Sequence, residues 1–500
     1  MKENVLIIGG GLGGLVCAAI LAKEGYAVRV LEKHSVAGGG LHTFKHKGVE
    51  FETGMHIISG FQPNGPLRRL FSYLGILDKL HIKSENQDGF NHFHVAENNQ
   101  TYKMAVGKEN FVTTLSTHFP EEKENIKRYI DKIYEICQSV DLFNLNMPSA
   151  DIYGMEIMSM SVNEFIASFT SNPKLQAVLA WNNTLYGGEK DKTPAYIGAF
   201  VTQFYIEGAS RFVSGSQHLA DALIEVIKKN GGYVITNSEV NFIDIQDRKI
   251  QKVIVENGQE YTADWYISAI HTSSLFKLMD LTKIQKSYYS RIDSIPNSYS
   301  SFSSYITLKP KSFPYLNYTG FYIPSYDDVW SCAEYSTDNW PRGCMYITPP
   351  MTDNDEFAQK IIVKAIMNFD TVKQWENTSI GKRGKDYEIF KKECEEKLLD
   401  MMENVFPDFR SKIDNMFSST PLTIRDYYGT KDGSNYGTVR DCHNLASSLI
   451  AIRTKINNLL LTGQNINLHG ILGVPITAIA TCGELVGLEN LLNKINKHTE

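Results

Sequence analysis

The sequence predicts an α/β protein in which a parallel-sheet domain is interleaved with a second domain of α+β type. Three observations carry this prediction. An apolar strand at Val5–Ile8 runs into a glycine-rich turn and then a helix over Leu15–Lys23. A second apolar run follows and ends in an acid, Glu32. Further buried-strand patterns return much later, near 233–270 and 458–462, so the sheet is expected to collect strands from distant parts of the chain.

The glycine-rich turn has the spacing that an adenine dinucleotide requires. Gly9 permits the tight turn, Gly11 lets a pyrophosphate approach the backbone, and Gly14 lets the helix pack against the sheet. Free amide groups at the start of the helix then face the phosphates, and the Glu32 carboxylate accepts bonds from the ribose hydroxyls. A glycine turn without a ligand is the alternative, which the placement between an apolar strand and a helix disfavours. The residues predicted for this part of the site are Gly9, Gly11, Gly13, Gly14, Glu32 and Lys33.

Length and composition are those of a globular protein with two domains. The chain has 500 residues, of which 42% are hydrophobic and 21% are charged, and its formal net charge is -6. This acidic balance argues against a nucleic-acid-binding protein, which would present a basic face. Seven scattered cysteines without a Cys-x-x-Cys pair favour a reducing compartment, and no cleavable signal precedes the first strand. We therefore expect a cytoplasmic protein, and no spacing typical of metal ligands appears.

The parallel-sheet domain is expected to be discontinuous. It is assigned to residues 1–60, 210–280 and 425–500. The middle stretch carries a helix pattern after Gly215 and a hairpin signal at Asn257-Gly258. The last stretch carries a buried-strand pattern and then a helix from about Ile476 to Leu492, with Pro475 near its first turn.

The two insertions, 61–209 and 281–424, are expected to form an α+β substrate domain. The first is mainly helical, with an apolar face that repeats over 126–140. No apolar run approaches the roughly 18–20 residues that cross a bilayer, so any membrane contact would be peripheral and could use this helix. Packing of the same face in the core is the alternative. In the second insertion, strands are predicted at Tyr299–Leu308, Gly320–Ile323 and Met345–Pro349, and charged helices around 353–376 and 384–404.

Two further glycine segments favour FAD over NAD. The run Gly38–Gly40 forms a second turn that lets the backbone pass close to a pyrophosphate or a flavin ring. Gly470 and Gly473 precede a helix whose N-terminus would stabilise negative charge on reduced flavin. Each segment alone could be an ordinary loop, but all three glycine segments together indicate a Rossmann-like FAD-binding domain of the glutathione-reductase type. The residues assigned here are Gly39, Gly40, Leu41, His42, Gly470, Gly473 and Val474.

These segments resemble the phytoene desaturase, carotenoid isomerase and retinol saturase family of FAD-dependent oxidoreductases, part of the amine-oxidase-like flavoprotein group. The resemblance covers about 1–60, 210–275 and 425–495 and is weaker across the insertions. It implies that the backbone of Val240 contacts the adenine and that Gly463 and Gln464 contact the ribityl chain. It also implies that the segment from Gly470 to Val474 contacts the flavin ring.

The family implies hydride transfer between flavin N5 and a carbon of an apolar polyene or isoprenoid, which saturates or desaturates a C–C bond. Such a substrate has almost no hydrogen-bonding groups, so its binding requires an apolar tunnel. Aromatic side chains of the second insertion could line the tunnel or belong to the core. Those considered are Tyr299, Phe302, Tyr305, Tyr315, Tyr318, Phe321 and Tyr322.

Saturation also consumes a proton, and two histidines are candidate catalytic donors. The segment Phe51–His56 is similar to the retinol saturase branch of the family, which implies that His56 lies beside the flavin. A hydrogen-bonding role that orients the loop is the alternative for His56. His469, next to Gly470, is the second candidate.

Other functions stay open at the sequence level. An amine-oxidase-type enzyme would act on a small polar amine, and an isomerase would need reduced FAD without net reduction of its substrate. A flavin-binding protein without catalysis is a further alternative. Only one dinucleotide turn is present, so reduction would draw electrons from an external donor, and desaturation would pass them to an external acceptor.

Overall fold

The computed structural model describes residues 3–148, 155–466 and 468–498. In chain order the strands are β1 (Asn4–Ile8), β2 (Ala27–Leu31), β3 (Thr43–His46), β4 (Val49–Glu52), β5 (Ile82–Ser84), β6 (Asn91–Val95), β7 (Gln100–Met104), β8 (Ser210–Phe212), β9 (Tyr233–Ile235), β10 (Val240–Gln246), β11 (Lys249–Val255), β12 (Glu260–Tyr261), β13 (Trp265–Ser268), β14 (Ser300–Leu308), β15 (Thr319–Ile323), β16 (Cys344–Ile347), β17 (Lys360–Met367), β18 (Ile413–Ser419) and β19 (Leu459–Leu461).

The helices alternate with these strands along the chain. In order they are α1 (Leu12–Lys23), α2 (Pro66–Leu74), α3 (Lys108–Ser116), α4 (Lys123–Ser139), α5 (Met155–Ser159), α6 (Val162–Ala167), α7 (Pro173–Leu179), α8 (Ala195–Ile206), α9 (Gln217–Lys229), α10 (Thr272–Lys277), α11 (Lys286–Asp293), α12 (Asp328–Ser331), α13 (Lys385–Val405), α14 (Phe409–Lys412), α15 (Pro421–Tyr428), α16 (Leu445–Ser448), α17 (Gly470–Val486) and α18 (Leu488–Asn496).

A five-stranded parallel sheet organises the nucleotide-binding half in the order β19-β13-β1-β2-β9. Residues Val5–Ile8 of β1 are buried on both faces, which is typical of a strand inside a parallel sheet covered on both sides. Helix α1 is buried along nearly its whole length and packs against α9 and α17. The fold is thus the predicted α/β type with a parallel sheet, and its five strands all lie in the three stretches assigned to this half.

A seven-stranded sheet organises the second half in the order β18-β14-β17-β16-β15-β6-β7. Neighbours run antiparallel except β15 and β6, which are parallel. One face packs on α13, where Leu398 and Met402 meet Phe302, Ile361 and Val363 in one apolar cluster. This sheet takes strands from both predicted insertions, because β6 and β7 belong to the first and β14–β18 to the second.

The prediction of a helix around 353–376 is wrong. Residues Lys360–Met367 form β17, between β14 and β16 in the seven-stranded sheet, and only a short 3-10 segment follows over Phe369–Trp375. The residues of β17 are buried on both faces of the sheet, so they lack the alternation that identifies a half-exposed strand. The helix predicted at 384–404 is present as α13.

The C-terminal helix differs from its prediction, and α4 follows the core-packing alternative given for its apolar face. The C-terminal helix begins at Gly470 rather than near Ile476, and a break at Gly487 separates α17 from α18. The apolar face of α4 does not provide a membrane surface, since its repeating side chains are buried in the core against α8. Among the described residues, no helix is long and apolar enough to span a bilayer.

Candidate functional site

One continuous cavity of about 560 Å³ is lined by residues from both large sheets. The carboxyl ends of β1 and β2 and the start of α1 contribute the glycine turn and the acid. Strands β14–β17 contribute side chains from one face of the seven-stranded sheet. A nucleotide cradle and a second, largely apolar compartment therefore open into each other.

The first glycine turn has the geometry that the sequence required. Gly9 has a φ of 101°, in the left-handed region that favours glycine, and its amide donates to the carbonyl of Leu31. A Cβ at Gly14 would lie 2.0 Å from the Gly9 carbonyl oxygen, so only glycine lets α1 pack there. A Cβ at Gly11 would meet nothing closer than 4.0 Å, which leaves its backbone free to be approached by a ligand.

Glu32 closes this turn from the end of β2. Its Oε2 accepts a hydrogen bond from the Gly10 amide at 2.8 Å, and its Oε1 accepts one from the His34 amide at 2.9 Å. Glu32 also lines the cavity, and its carboxylate has acceptor capacity beyond these two bonds. Lys33 lines the cavity as well, and its ammonium donates to the carbonyl of Asp426 at 3.1 Å.

The second glycine turn packs directly on the first. The amide of Gly38 donates to the carbonyl of Gly10 at 2.8 Å, and Gly39 adopts a φ of 57°. A Cβ at Gly39 would lie 3.1 Å from the Gly11 Cα, so the two turns approach as closely as glycines allow. His42, assigned to the cofactor site, does not line the cavity; its amide donates to the Gly39 carbonyl.

The third glycine segment reaches the same cavity from the C-terminal part of the chain. Gly463 and Gly470 have φ values of 99° and 75°. Gly473 lies so close to Leu468 that a Cβ would come within 2.4 Å of that side chain. Val474 belongs to the first turns of α17 and lines the cavity.

FAD fits the residues that line this cavity. Helices α1 and α17 both begin at its edge without a side-chain cap, and neither has an acidic residue in its first turn. Their amide groups are thus available to phosphates and to the pyrimidine edge of a flavin. In addition, Oγ1 of Thr430, a cavity residue, is buried without a hydrogen-bond partner among the residues that the structure describes.

The structure brings most of the predicted site residues together. Those that line the cavity are Gly9, Gly11, Gly13, Glu32, Lys33, Gly39, Gly40, Leu41, His56, Val240, Gly463, Gln464, His469, Gly470, Gly473 and Val474. Gly14 and His42 do not line it. Gly14 acts through the packing of α1, as described above.

His56 lies in the cavity and is paired with a carboxylate. Its Nδ1 is 3.4 Å from Oε2 of Glu52, and both side chains are buried. Burial lowers the pKa of His56 below its ordinary value of 6.5, and this outweighs the opposing effect of the hydrogen bond that His56 donates to Glu52. The imidazole is therefore mainly neutral at pH 7, and its cationic form is populated only in more acidic solution.

His469 has a different environment at the start of α17. Its ring lies 4.7 Å from the ring of Tyr436. Burial, assisted by the nearby Arg440 guanidinium, lowers the pKa of His469 to about 4. The side chain is thus neutral at pH 7, which makes it a weak proton donor.

The second compartment is lined by one face of the seven-stranded sheet. A row of residues crosses five strands in register, from Ser419 through Ser303, Lys364 and Met345 to Phe321. All five line the cavity. The row is polar at the Ser419 end and apolar at the Phe321 end. Of these five residues, only Phe321 was a candidate for the tunnel lining from the sequence.

The aromatic residues considered for a tunnel divide between the cavity and the core. Tyr299, Tyr305, Phe321 and Tyr322 line the cavity, whereas Phe302, Tyr315 and Tyr318 do not. Further apolar side chains come from the helical insertion, among them Phe143, Phe200 and Phe204. Phe200 and Phe204 lie one helical turn apart on α8, and this spacing gave no signal that set them apart from core residues.

Comparison with known proteins identifies relatives over nearly the whole chain. All-trans-retinol 13,14-reductase of Rattus norvegicus is 26% identical, over 99% of this chain and 87% of the relative. The human enzyme of the same name is also 26% identical, with the same coverage. Prolycopene isomerase of Daucus carota is 24% identical, over 87% of this chain and 72% of the relative.

Solved structures show the same fold. An oxidoreductase from Methanosarcina mazei has a TM-score of 0.65 at 19% identity, covering 95% of this chain and 99% of that one. Putrescine oxidase with bound putrescine has a TM-score of 0.65 at 14% identity and covers 99% of both chains. The family model for flavin containing amine oxidoreductases matches residues 12–359. The resemblance drawn from the sequence is therefore confirmed, and the chain is an FAD-dependent oxidoreductase that belongs to the flavin containing amine oxidoreductase family.

Proposed function

We propose that the protein saturates a C–C double bond of an apolar polyene, with FAD as its redox cofactor. The observation that carries this proposal is the single cavity in which the glycine cradle and an apolar compartment meet. The similarity to retinol reductases over nearly the whole chain supports the same substrate class. A small polar amine would leave this apolar lining without a function.

The cofactor would be held by the three glycine segments. In this proposal Gly11 and Gly13 approach the pyrophosphate, Glu32 accepts the ribose hydroxyls, and the start of α17 at Gly470 meets the flavin ring. Reduced FAD supplies a hydride equivalent at N5. The chain itself must then position the polyene, exclude water and provide a proton.

Binding of the polyene would rely on burial rather than on hydrogen bonds. Each methylene group removed from water contributes about 0.8 kcal/mol. Phe321 and Met345 are cross-strand partners on β15 and β16, and Ile366 on β17 lines the same cavity, as do Phe200 and Phe204 on α8. These side chains would enclose the substrate and keep water from the reacting carbon.

His56 is the proposed proton donor. It is a cavity residue, and the Glu52 carboxylate 3.4 Å from its Nδ1 favours the imidazolium form when a proton arrives. Since burial holds the His56 pKa below 6.5, the donor is recharged most readily in mildly acidic solution. Electrons would come from an external reductant, because the sequence has only one dinucleotide turn.

The test is a single-turnover reaction under anaerobic conditions. The FAD-loaded protein is reduced with dithionite and mixed with all-trans-retinol, and the product is analysed by mass spectrometry. We expect flavin reoxidation together with a product that has gained two hydrogens. The proposal would be contradicted if the reduced protein kept its bleached flavin spectrum after addition of retinol and of carotenoid polyenes. Reduction of the oxidised flavin by putrescine would favour amine oxidation instead.

A second candidate function is polyene isomerisation. The similarity to prolycopene isomerases over much of the chain favours it. An isomerase would convert its substrate to a product of the same mass and would leave the flavin reduced. The same experiment therefore separates the two functions by product mass.

Loading of the substrate from a membrane surface is a further part of the proposal. Polyenes partition strongly into lipid, so an enzyme that uses them gains from peripheral contact with a bilayer. The buried face of α4 is not available for this contact. Flotation of the purified protein with vesicles tests the idea, and protein that stays at the bottom of the gradient would remove it.

A further inference from the structure

Lys364 lies in the middle of β17 and faces the cavity without a counter-ion. In the sheet it is flanked by Ser303 on β14 and Met345 on β16, and all three residues line the cavity. Within residues 3–148, 155–466 and 468–498, its ammonium forms no hydrogen bond or ion pair. The other lysine of this strand, Lys360, differs because its ammonium donates to the carbonyl of Glu50.

An ammonium in this position is costly unless an anion joins it. Removal from water disfavours a charged group, and a partner of opposite charge offsets the cost. Burial lowers the pKa of Lys364 to about 8, so the side chain still carries its charge in most molecules at pH 7. No carboxylate of the described chain contributes to this pKa, which leaves the compensating anion to come from outside the chain.

Several titratable groups lie near Lys364 on the same and neighbouring strands. Burial raises the pKa of Tyr305 and raises that of Cys344 to about 12. Burial also lowers the pKa of His56, and it lowers that of Lys360 on the same strand. Because the pKa of Lys360 is lowered as well, a change in ligand binding between neutral and alkaline pH is assigned to Lys364 by its variants.

We propose that this compartment accepts an apolar chain that ends in a carboxylate, with the carboxylate paired to Lys364. The inference rests on the proposed function for the apolar part of the ligand, and it adds a carboxylate as the polar end group of that ligand. Ser303 lies beside Lys364 in the row across the sheet, Ser419 lies one strand further along it, and Ser303 brings a hydroxyl donor for a remaining carboxylate lone pair. Met345 and Phe321 continue the row on the other side and suit the hydrocarbon chain.

The experiment compares two ligands that differ only at the head. All-trans-retinoic acid and all-trans-retinol are titrated into the FAD-loaded protein, and binding is followed by tryptophan quenching and by the flavin absorbance. Palmitate and hexadecanol form a second matched pair. We expect the acids to bind about tenfold more tightly than the alcohols near pH 7 and this preference to disappear near pH 9.5.

Three variants test whether Lys364 causes the preference for the acid. Lys364→Met should remove the preference for the acid while FAD content and alcohol binding stay unchanged. Lys364→Arg should keep the preference at alkaline pH, because a guanidinium stays charged there. Lys103→Met is the matched control, since it removes an ammonium from an exposed position on β7 of the same sheet, outside the cavity lining, and should keep the preference of the natural protein.

Several results would overturn the inference. Equal affinities for acid and alcohol in the natural protein, no binding of either pair, or an unchanged preference in Lys364→Met would each do so. Loss of FAD from Lys364→Met would indicate that the ammonium binds the cofactor, and this result would also overturn the inference. None of these measurements uses turnover, so a failure to saturate any polyene would count against the proposed function alone.

Discussion

The amide nitrogen of Gly10 donates a hydrogen bond to Oε2 of Glu32 across 2.8 Å, and this bond ties the glycine turn after β1 to the end of β2. The acid thus has two tasks, since it fixes the turn through its backbone contacts and presents the rest of its carboxylate to the cavity. Loss of the carboxylate should disturb both the shape of the cradle and the contact with the ribose.

We expect Glu32→Ala to weaken FAD binding at least tenfold. Hydrogen bonds to a charged group contribute about 1.5–3 kcal/mol each, and about 1.4 kcal/mol corresponds to a factor of ten. Glu32→Gln should lose less, because its amide oxygen still accepts one bond. Titration of the apoprotein with FAD measures the dissociation constants of both variants. An unchanged affinity in Glu32→Ala would show that Glu32 does not contribute to FAD binding.

Two glycines of the same turn should respond differently to alanine. Gly14→Ala places a Cβ 2.0 Å from the Gly9 carbonyl oxygen, so we expect destabilisation of the fold, about 1–3 kcal/mol or more. Gly11→Ala meets no protein atom within 4.0 Å and should keep the thermal stability of the apoprotein but lose FAD. Thermal unfolding and flavin content separate the two effects. A Gly11→Ala protein that remains yellow would contradict the assignment.

The pH dependence of saturation tests His56. A donor must be protonated, and the His56 pKa lies below 6.5, so the single-turnover rate should rise as the pH falls from about 8 towards 5.5. His56→Gln should flatten this profile and lower the rate about 10²–10⁴-fold, with FAD and ligand binding retained. If His56 only orients its loop, the variant should instead change ligand binding and leave the shape of the profile intact.

A buried ion pair joins the two halves of the molecule. Nη2 of Arg211 lies 2.6 Å from Oε1 of Glu85, and Nη1 of Arg211 donates to the carbonyl of Thr348. We expect Arg211→Met to lower the free energy of unfolding by about 3–5 kcal/mol, because it leaves a buried carboxylate unpaired. Arg453→Met is the control, since it removes a mostly exposed partner of Glu484 and should cost at most about 1 kcal/mol. Chemical denaturation measures both.

The cradle was predictable because it depends on local backbone requirements. Gly9 is required because its φ is 101°, and Gly14 is required because α1 packs there against the Gly9 carbonyl oxygen. Both requirements can be identified from the spacing of the glycines alone. The glycine segment at Gly470 was also assigned from the residues themselves, and the family resemblance added the contacts of Gly463 and Gln464. His56 was assigned by its motif and lines the cavity, and its place beside the flavin stays a prediction.

The apolar compartment was less predictable because it depends on long-range strand pairing. In β17, Lys360 and Lys364 are four residues apart with apolar residues between them, which is also the spacing of one helix face. Only the register of β17 against Ser303 and Met345 places Lys364 in the cavity, and neither partner is near it in the sequence. A lysine with apolar residues on both sides of it in the sequence is the signal that could have identified Lys364.

The edge strand β19 and the turn at Gly463 come from the last part of the sequence, yet they complete the sheet that begins with β1. During translation, the nucleotide pocket therefore stays unfinished until the segment from Leu459 to Gly463 has left the ribosome. We expect nascent chains that stall before Leu459 to lack FAD.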